Sequence, residues 1–258
     1  MAWKEPGRLK IRRRLRKPFN KLFHRRHYFI SRYRGADFLL QPTGIGTLEI
    51  SAGIAERPEL SNYMRRCAEL LPDVFLDIGA NIGLYSCILL KNGCVPRAIL
   101  FEPDRRNMTH LKANFLINGL LDLVELHEVA LGDAEGRHRL VPGEIDGGFS
   151  RLADSNGLAD GGYDVNTVRL DDVLSFSDRR LAIKIDVEHY ECKVLVGMER
   201  ILRENECMIQ IEAFETQDQV TSLLAAAGYD LVKSFPPNFV FEKAQVRSSG
   251  AKPTSAGD

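Results

Sequence analysis

Cysteine is scarce in this sequence and shows no paired arrangement. Five cysteines occur among 258 residues, at positions 67, 87, 94, 192 and 207. Because they form no C-x-x-C pair and no short Cys/His spacing, the sequence indicates neither a structural zinc site nor a disulfide framework. We therefore expect reduced thiols, as in a cytosol, and no metal requirement.

Long apolar runs are missing as well. No run approaches the ~18 residues that a helix needs to cross a bilayer. The arginine-dense N-terminus lacks the apolar core of a secretory signal. From these absences we expect a cytoplasmic protein, either soluble or attached peripherally at the inner membrane face.

Acidic residues are nearly absent from the N-terminal segment 1–34. It contains 13 Lys or Arg and only Glu5 as an acid, whereas the whole chain has 35 basic and 35 acidic residues. The segment carries a charge of about +12 and the remainder about −12. Apolar residues such as Phe19, Phe23 and Phe29 lie between the basic ones, which suits an anionic surface. A membrane, a nucleic acid, an acidic partner subunit and a simple solvated helix all remain open as interpretations.

Composition divides the chain into four segments, and its length suffices for one sizeable core. We predict a basic arm at 1–34, a cap segment at 35–72, a main domain at 73–245 and a disordered tail at 246–258. Residues 136–170 are rich in Gly and Asp and contain short alternating pieces, which predicts a hairpin insertion in the main domain. Ser, Gly and Lys-Pro dominate the tail and are typical of disorder.

Strand and helix patterns alternate after residue 73. Apolar runs predict parallel strands at 74–78, 97–102, 123–129, 181–187 and 208–212, and a closing antiparallel pair at 229–234 and 239–242. Periodic patterns predict helices at 104–118, 191–204 and 216–227, the last opened by a capping box of Thr216 and Gln219. The alternation predicts an α/β fold with a Rossmann-like, doubly wound, mostly parallel sheet and a C-terminal antiparallel strand pair.

The stretch 74–86 is a buried strand that breaks into glycines and restarts as a helix. Gly79 and Gly83 would let the backbone turn tightly against a ligand, at which the helix aims free N–H groups. A dinucleotide fingerprint, G-x-G-x-x-G, would need glycine at Asn81 and Leu84. The pattern here is D-x-G-x-N-x-G, which places the Asp77 carboxylate and the Asn81 amide near the ligand. S-adenosylmethionine carries the ammonium and carboxylate groups that suit them.

Acidic residues also end the other predicted strands. Glu102 follows Gly79 by 23 residues, where a carboxylate can accept hydrogen bonds from both hydroxyls of an adenosine ribose. Glu128, Asp186 and Glu212 fall at or near further strand ends, the edge where open parallel sheets bind ligands. For Glu128 and Glu212, a plain strand-end cap is an equal alternative.

These residues resemble the FkbM-type S-adenosylmethionine-dependent methyltransferases over about residues 70 to 215. The resemblance rests on the motifs Asp77–Tyr85, Phe101–Asp104, Leu111–Asn114, Ala130–Gly132, Leu170–Val173 and Lys184–Glu188 with Glu191. It implies a class I methyltransferase domain at 73–245 that transfers a methyl group to a hydroxyl of a sugar, a glycan or a secondary metabolite. The cofactor residues that follow are Asp77, Gly79, Asn81, Gly83, Glu102 and Ala130.

Candidate catalytic residues cluster after the strand at 181–187. Asp186 could position or deprotonate the acceptor hydroxyl, and Lys184 lies two residues before it on the same strand face. A structural ion pair between Lys184 and Asp186 is the alternative. Glu188 could act as a base or orient the following turn. The family usually has glycine after Asp-Val-Glu, so His189 implies a reshaped pocket, a general base or an ordinary structural side chain.

Other functions fit parts of the pattern. An RNA methyltransferase would explain the basic arm, although the acidic body shows no recognisable RNA module. A nicotinamide-dependent oxidoreductase would use the same sheet, but Asn81 and Leu84 break its fingerprint. A non-catalytic adaptor is disfavoured by the intact cofactor motifs. Enzymes that methylate amino groups commonly have an Asn/Asp-Pro-Pro-aromatic turn after the fourth strand. This chain has Asp186–His189 there instead, which makes amino-group methylation less favoured.

Overall fold

The computed structural model describes residues 28–40, 57–142, 151–153 and 162–244. Most of the basic arm, the tail at 246–258 and the centre of the predicted insertion therefore lie outside the described residues. The last residues assigned to the arm form a strand, so the described fold begins before residue 34.

The described elements alternate as the sequence predicted, with additions at the N-terminus and in the middle of the domain. The strands are β1 (Phe29–Tyr33), β2 (Ala36–Leu40), β3 (Val74–Ile78), β4 (Ala98–Phe101), β5 (Val124–His127), β6 (Ala130–Leu131), β7 (Gly136–Val141), β8 (Arg151–Ala153), β9 (Tyr163–Val168), β10 (Arg180–Ile185), β11 (Glu206–Glu212), β12 (Tyr229–Phe235) and β13 (Asn238–Lys243). The helices are α1 (Pro58–Leu70), α2 (Leu84–Lys91), α3 (Arg105–Asn118), α4 (Leu170–Val173), α5 (Glu191–Val196), α6 (Glu199–Glu204) and α7 (Gln217–Ala226), with a 3-10 turn at Leu121–Leu123.

Seven strands form the central sheet in the order β12-β13-β11-β10-β3-β4-β5. Strands β5, β4, β3, β10 and β11 are parallel, and β13 pairs antiparallel with both β11 and β12. The predicted α/β fold with its closing antiparallel pair is therefore confirmed. Strand order reverses between β3 and β10, which is where open parallel sheets bind ligands.

The two faces of the sheet are covered by different elements. One face packs against the β1–β2 hairpin and helices α1 to α3, through residues such as Phe38, Tyr63 and Phe115. The other face packs against α4 to α7, through residues such as Val194 and Leu224. Strands buried on both faces need apolar residues at every position, which explains the runs without polar alternation. Polar side chains within these strands are therefore exceptions that require partners.

The middle of the domain is more elaborate than the hairpin that the sequence predicted. A second sheet has the order β6-β9-β7-β8 and begins at Ala130, before the predicted insertion. Strand β7 pairs antiparallel with both β8 and β9, and β6 pairs parallel with β9. Periodicity missed β6 because two residues are too short a run to show alternation.

The single helix predicted at 191–204 is wrong, because the chain forms α5 and α6 with a break at Gly197. A Cβ atom at Gly197 would lie 1.9 Å from the carbonyl oxygen of Gly132, so the backbones meet there. The Asp171 carboxylate then accepts hydrogen bonds from the backbone N–H groups of Arg200 and Ile201, at 2.8 and 3.0 Å. This tertiary cap starts a new helix and carries no local sequence signal.

The capping box predicted at Thr216 and Gln219 is also wrong. Thr216 is the residue before α7, but its side chain caps no backbone N–H of that helix. The Thr216 hydroxyl instead donates to Oε2 of Glu191 at 2.8 Å. A distant buried carboxylate therefore takes the hydroxyl that the local pattern assigned to the helix.

The side-chain amides of two asparagines in α3 form hydrogen bonds with the backbone of β2, as an adjacent strand would. Asn114 accepts from the backbone N–H of Leu39 and donates to the carbonyl of Ile82, both at 2.8 Å. Asn118 accepts from the N–H of Asp37 at 2.9 Å and donates to its carbonyl at 2.6 Å. Since Ile82 belongs to the glycine loop, Asn114 joins the N-terminal hairpin to the loop that follows β3.

We expect Asn114→Ala to destabilise the protein by about 1–3 kcal/mol, because the Leu39 N–H and the Ile82 carbonyl lose their partner. Asn166→Ala, at an exposed position of β9, is the matched control and should stay within about 0.5 kcal/mol of wild type. Urea unfolding of the three proteins measures both values. Equal stability of the two variants would contradict the clamp.

Candidate functional site

A buried ammonium group lies at the centre of the site. Lys184 is 6% exposed and stands on β10 between Asp77 of β3 and Gln210 of β11 in strand register. Its Nζ lies 2.7 Å from Oδ2 of Asp186 and 5.0 Å from the centre of the Tyr85 ring. Burial disfavours the charged form, but Asp186 and the other nearby acids raise the pKa of Lys184 above its usual value. The group therefore remains an ammonium at neutral pH.

The Asp77 carboxylate lies inside the protein and caps a helix. Asp77 is 1% exposed, and its Oδ2 accepts from the Ser86 hydroxyl at 2.5 Å. Burial raises the pKa of Asp77, against the opposing effects of Lys184 and of hydrogen bonds from the Ser86 hydroxyl and N–H. Its position joins the end of β3 to the first turn of α2 and places it beside Lys184.

The backbone of the glycine loop contacts the backbone of the turn after β10. Gly79 has φ +78°, and a Cβ atom there would lie 1.9 Å from the carbonyl oxygen of Asp186. The backbone N–H of Asp186 also donates to the carbonyl of Ile78 at 2.9 Å. The space beside Gly79 is thus taken by the protein's own chain. This contact places the loop predicted to hold the cofactor directly against the residue predicted to hold the acceptor.

The remaining loop positions adopt left-handed backbone conformations. Asn81 has φ +52° and Gly83 has φ +79°. A Cβ atom at Gly83 would lie 3.2 Å from the Phe115 ring, so α3 packs closely on the loop. Any side chain introduced at position 83 would therefore contact α3.

Glu102 supports the loop with its carboxylate. It is 5% exposed, and it accepts from the backbone N–H of Asn81 at 2.7 Å and of Asp104 at 2.9 Å. Burial raises the pKa of Glu102 to about 7, although these hydrogen bonds act in the opposite direction. The Asn107 amide donates a third, longer bond at 3.4 Å, and since a carboxylate has about four lone-pair sites, about one remains for a ribose hydroxyl.

The turn after β10 is strained and tied down from one side. Glu188 and His189 have φ +50° and +74°, in the left-handed region that favours glycine. The backbone N–H of His189 donates to Oε1 of Glu191 at 2.8 Å, and Thr216 holds the other oxygen of Glu191. The positive φ gives a physical reason why the family pattern has glycine at 189. In the described part of the chain, no hydrogen bond or ion pair fixes the His189 ring.

Besides Asp77, three carboxyl groups at the strand ends interact with the Lys184 ammonium: Asp186, Glu188 and Glu212. Asp186 is bonded to Lys184, while burial and the charge of Asp186 raise the pKa values of both Glu188 and Glu212 to about 7. The sequence predicted Glu212 at a strand end, but Glu212 was not among the candidate catalytic residues. Gln210 was missed entirely, although a lone amide inside the apolar strand 206–212 was a usable signal.

The last predicted cofactor residue, Ala130, lies on the second sheet and pairs with Thr167. Within the described ranges, no group of three or more His, Cys, Asp and Glu side chains is arranged to hold a metal ion. Among the same residues, no helix is long and apolar enough to cross a membrane. The cofactor, catalytic and metal assignments remain predictions.

Comparison with known proteins gives the family. The model of the methyltransferase FkbM domain matches residues 77–231 of this chain, from the end of β3 to the start of β12. The chain belongs to the FkbM methyltransferase family. It therefore contains a methyltransferase domain, and the family implies a methyl donor of the S-adenosylmethionine type.

Individual relatives of the FkbM domain are distant. The chain is 28% identical to the 2-O-methyltransferase NoeI of Sinorhizobium fredii, over 73% of this chain and 86% of NoeI. It is 27% identical to the AMB antimetabolite synthetase AmbE of Pseudomonas aeruginosa, over 66% of this chain but only 10% of AmbE. The solved structure of an FkbM methyltransferase from Methylobacillus flagellatus has 19% identity and a TM-score of 0.48, covering 66% of this chain and 43% of that one.

The contact at Gly79 yields a test with a matched control in the FkbM domain. Gly79 and Gly93 both have positive φ, but a Cβ atom at Gly93 would meet nothing within 4 Å. We expect Gly93→Ala to cost about 1–2 kcal/mol for its backbone conformation alone. Gly79→Ala should cost more than about 3 kcal/mol, because the Asp186 carbonyl must also move. Urea unfolding measures both, and equal costs would show that the backbones do not meet.

Proposed function

We propose that this protein is an S-adenosylmethionine-dependent O-methyltransferase that acts on a hydroxyl of a sugar, a glycan or a secondary metabolite. The contact between Gly79 and the Asp186 carbonyl carries the proposal. It joins the loop suited to the methyl donor to the acidic turn suited to a hydroxyl acceptor. Positioning of this kind supplies much of the rate enhancement in a displacement between two bound groups.

The residues beside the loop fit the methyl donor. Glu102 keeps acceptor capacity for a ribose hydroxyl, and the loop of Gly79, Asn81 and Gly83 turns the backbone at the end of β3. Asp186, Glu188 and Glu212 give the neighbouring edge negative charge, which attracts a sulfonium cation. S-adenosylmethionine would supply an electrophilic methyl group on that sulfonium. Asp77 would act indirectly, by holding α2 and Lys184 in place.

The residues of the catalytic turn would orient the acceptor. Lys184 holds one oxygen of Asp186 and leaves the other for a hydroxyl group of the acceptor. Glu191 fixes the backbone of the turn through His189 and Thr216, so the carboxylate cluster keeps its geometry. The hydroxyl must lose its proton as the methyl group arrives, and a nearby carboxylate is a suitable recipient.

An oxygen acceptor is supported by one of the relatives. NoeI is described as a 2-O-methyltransferase, and this chain covers 86% of its length. The family match decides against the nicotinamide-dependent oxidoreductase. RNA should be tested as an acceptor alongside sugars and secondary metabolites.

We expect binding of S-adenosylhomocysteine to strengthen by up to about tenfold between pH 6 and pH 8. The reason is that a ribose hydroxyl donates to the ionised form of Glu102, whose pKa lies at about 7 and which loses its proton as the pH rises. Glu102→Gln should weaken binding by about 1.5–3 kcal/mol and abolish the pH dependence. Isothermal calorimetry at several pH values measures both effects.

S-adenosylhomocysteine is the right probe because it lacks the sulfonium charge, so the titrating acids near Asp186 affect it less than the methyl donor. NAD is the control ligand and should not bind. Binding of NAD without any binding of S-adenosylhomocysteine would refute the proposed cofactor.

We also propose that the basic arm recruits the protein to anionic membranes, since its Lys and Arg residues are interleaved with aromatic ones. The strand β1 begins at Phe29, so a truncation should remove only residues 1–27. We expect this deletion to leave cofactor binding unchanged and to reduce sedimentation with phosphatidylserine vesicles, with a smaller difference at high salt. Equal sedimentation of the full-length and shortened proteins would rule out recruitment by the arm.

A further inference from the structure

We propose that Glu212 is the base that takes the proton of the acceptor hydroxyl during methyl transfer. The inference rests on the proposed function and assigns a role that the sequence left as a strand-end cap. Asp186 is then the carboxylate that orients the hydroxyl, and Lys184 is its fixed counter-ion. Each of these three side chains thus has its own role, which depends on the groups that it contacts.

Strand register places Glu212 beside Asp186. Strands β10 and β11 are parallel, with Lys184 opposite Gln210 and Ile185 opposite Ile211. The next residues along the two chains are Asp186 and Glu212, so their side chains lie on the same face as Lys184. The negative charge of Asp186 raises the pKa of Glu212, as expected for two neighbouring carboxyl groups.

The ammonium is committed to only one of these acids. Lys184 Nζ lies 2.7 Å from Oδ2 of Asp186, so the carboxylate of Asp186 is held in an ion pair. Glu212 has no such ion pair among the described residues. A proton that arrives at Glu212 therefore disrupts no ion pair of the described residues.

The surroundings of Glu212 support a base that works near neutral pH. Burial raises its pKa most, followed by the negative charge of Asp186, and Glu188 acts in the same direction while Lys184 acts against them. From β13 it faces Asn238, which is uncharged. The resulting pKa of about 7 lies close to the value at which a general base is most effective at neutral pH.

A buried acceptor atom on the same face provides an independent indication of a ligand. Gln210 is fully buried, and its amide nitrogen donates to the Tyr85 hydroxyl and to Oδ1 of Asn238, at 2.8 and 3.1 Å. Its Oε1 has no hydrogen-bond partner in the described part of the chain. Gln210 and Glu212 are two residues apart on β11, so this unused acceptor belongs to the same face of the strand as the proposed base. A buried acceptor without a partner is costly unless a ligand supplies the donor.

The step balances without a further reactant. The acceptor oxygen forms a bond to the methyl carbon while the carbon–sulfur bond breaks, and the electron pair of that bond stays on the sulfur. The O–H bond breaks and its proton passes to Glu212, which becomes neutral. The positive sulfonium and the negative carboxylate are thereby replaced by a neutral thioether and a neutral carboxylic acid.

The test compares Glu212→Gln with Glu188→Gln, which removes an equally raised acid from the same cluster. The probe is the methyl glycoside that gives the fastest release of S-adenosylhomocysteine with the wild-type protein. We expect kcat/KM of the wild type to rise with pH through about 7, because the base must be ionised. Glu212→Gln should lower kcat by about 10²-fold or more and abolish this rise, whereas Glu188→Gln should keep it.

A second readout needs no substrate. Carbon-13 NMR of labelled glutamate carboxyl groups should show titrations near pH 7 from Glu102, Glu188 and Glu212, and one of these should be missing in Glu212→Gln. Glu215→Gln, at an exposed position three residues away, should match the wild type in both measurements. If Glu212→Gln does not fold, Glu212→Asp keeps a carboxylate and should retain the rise with pH at a turnover reduced by about tenfold.

Two results would overturn the role of Glu212. The first is a Glu212→Gln protein whose turnover stays within about threefold of wild type. The second is a pH dependence that disappears in Glu188→Gln but not in Glu212→Gln. Failure of the wild type to bind S-adenosylhomocysteine would instead defeat the proposed function, so the two proposals are distinguishable.

Discussion

The buried ammonium of Lys184 is the constraint on which the site depends. An ammonium group that is 6% exposed is strongly destabilising unless anions and hydrogen-bond acceptors surround it. Asp77 faces it across one strand, Asp186 bonds to it beyond the strand end, and the Tyr85 ring lies over it. Those partners come from β3, β10 and α2, so neutralising one charge fixes the relative positions of three elements.

The same constraint accounts for the distribution of acid strength. Asp186 forms an ion pair with Lys184, whereas Glu188 and Glu212 form no hydrogen-bonded ion pair with it and are affected by burial and by the charge of Asp186. The pKa values of Glu188 and Glu212 therefore rise to about 7. A single cation among several acids thus produces groups that can exchange protons at neutral pH. Catalytic sites commonly use this arrangement.

Close backbone contact fixes this electrostatic cluster against the glycine loop. The Asp186 carbonyl occupies the space beside Gly79, so the cofactor loop and the acidic turn cannot drift apart. On the other side of the turn, Glu191 of α5 accepts a hydrogen bond from Thr216, which lies in the loop after β11. Strain at Glu188 and His189 persists because both sides of the turn are fixed.

The sequence by itself determined the order of the central strands along the chain, the glycine loop, the acids at the strand ends and the family motifs. These features are local, since a strand buried on both faces and a turn with positive φ each impose their own residue pattern. Tertiary structure alone decided the break at Gly197, the use of Thr216 by Glu191, the four-stranded second sheet and the pairing of Glu212 with Asp186. Each of these depends on a contact between residues far apart in sequence, and periodicity carries no information about such contacts because it records only the environment of one segment.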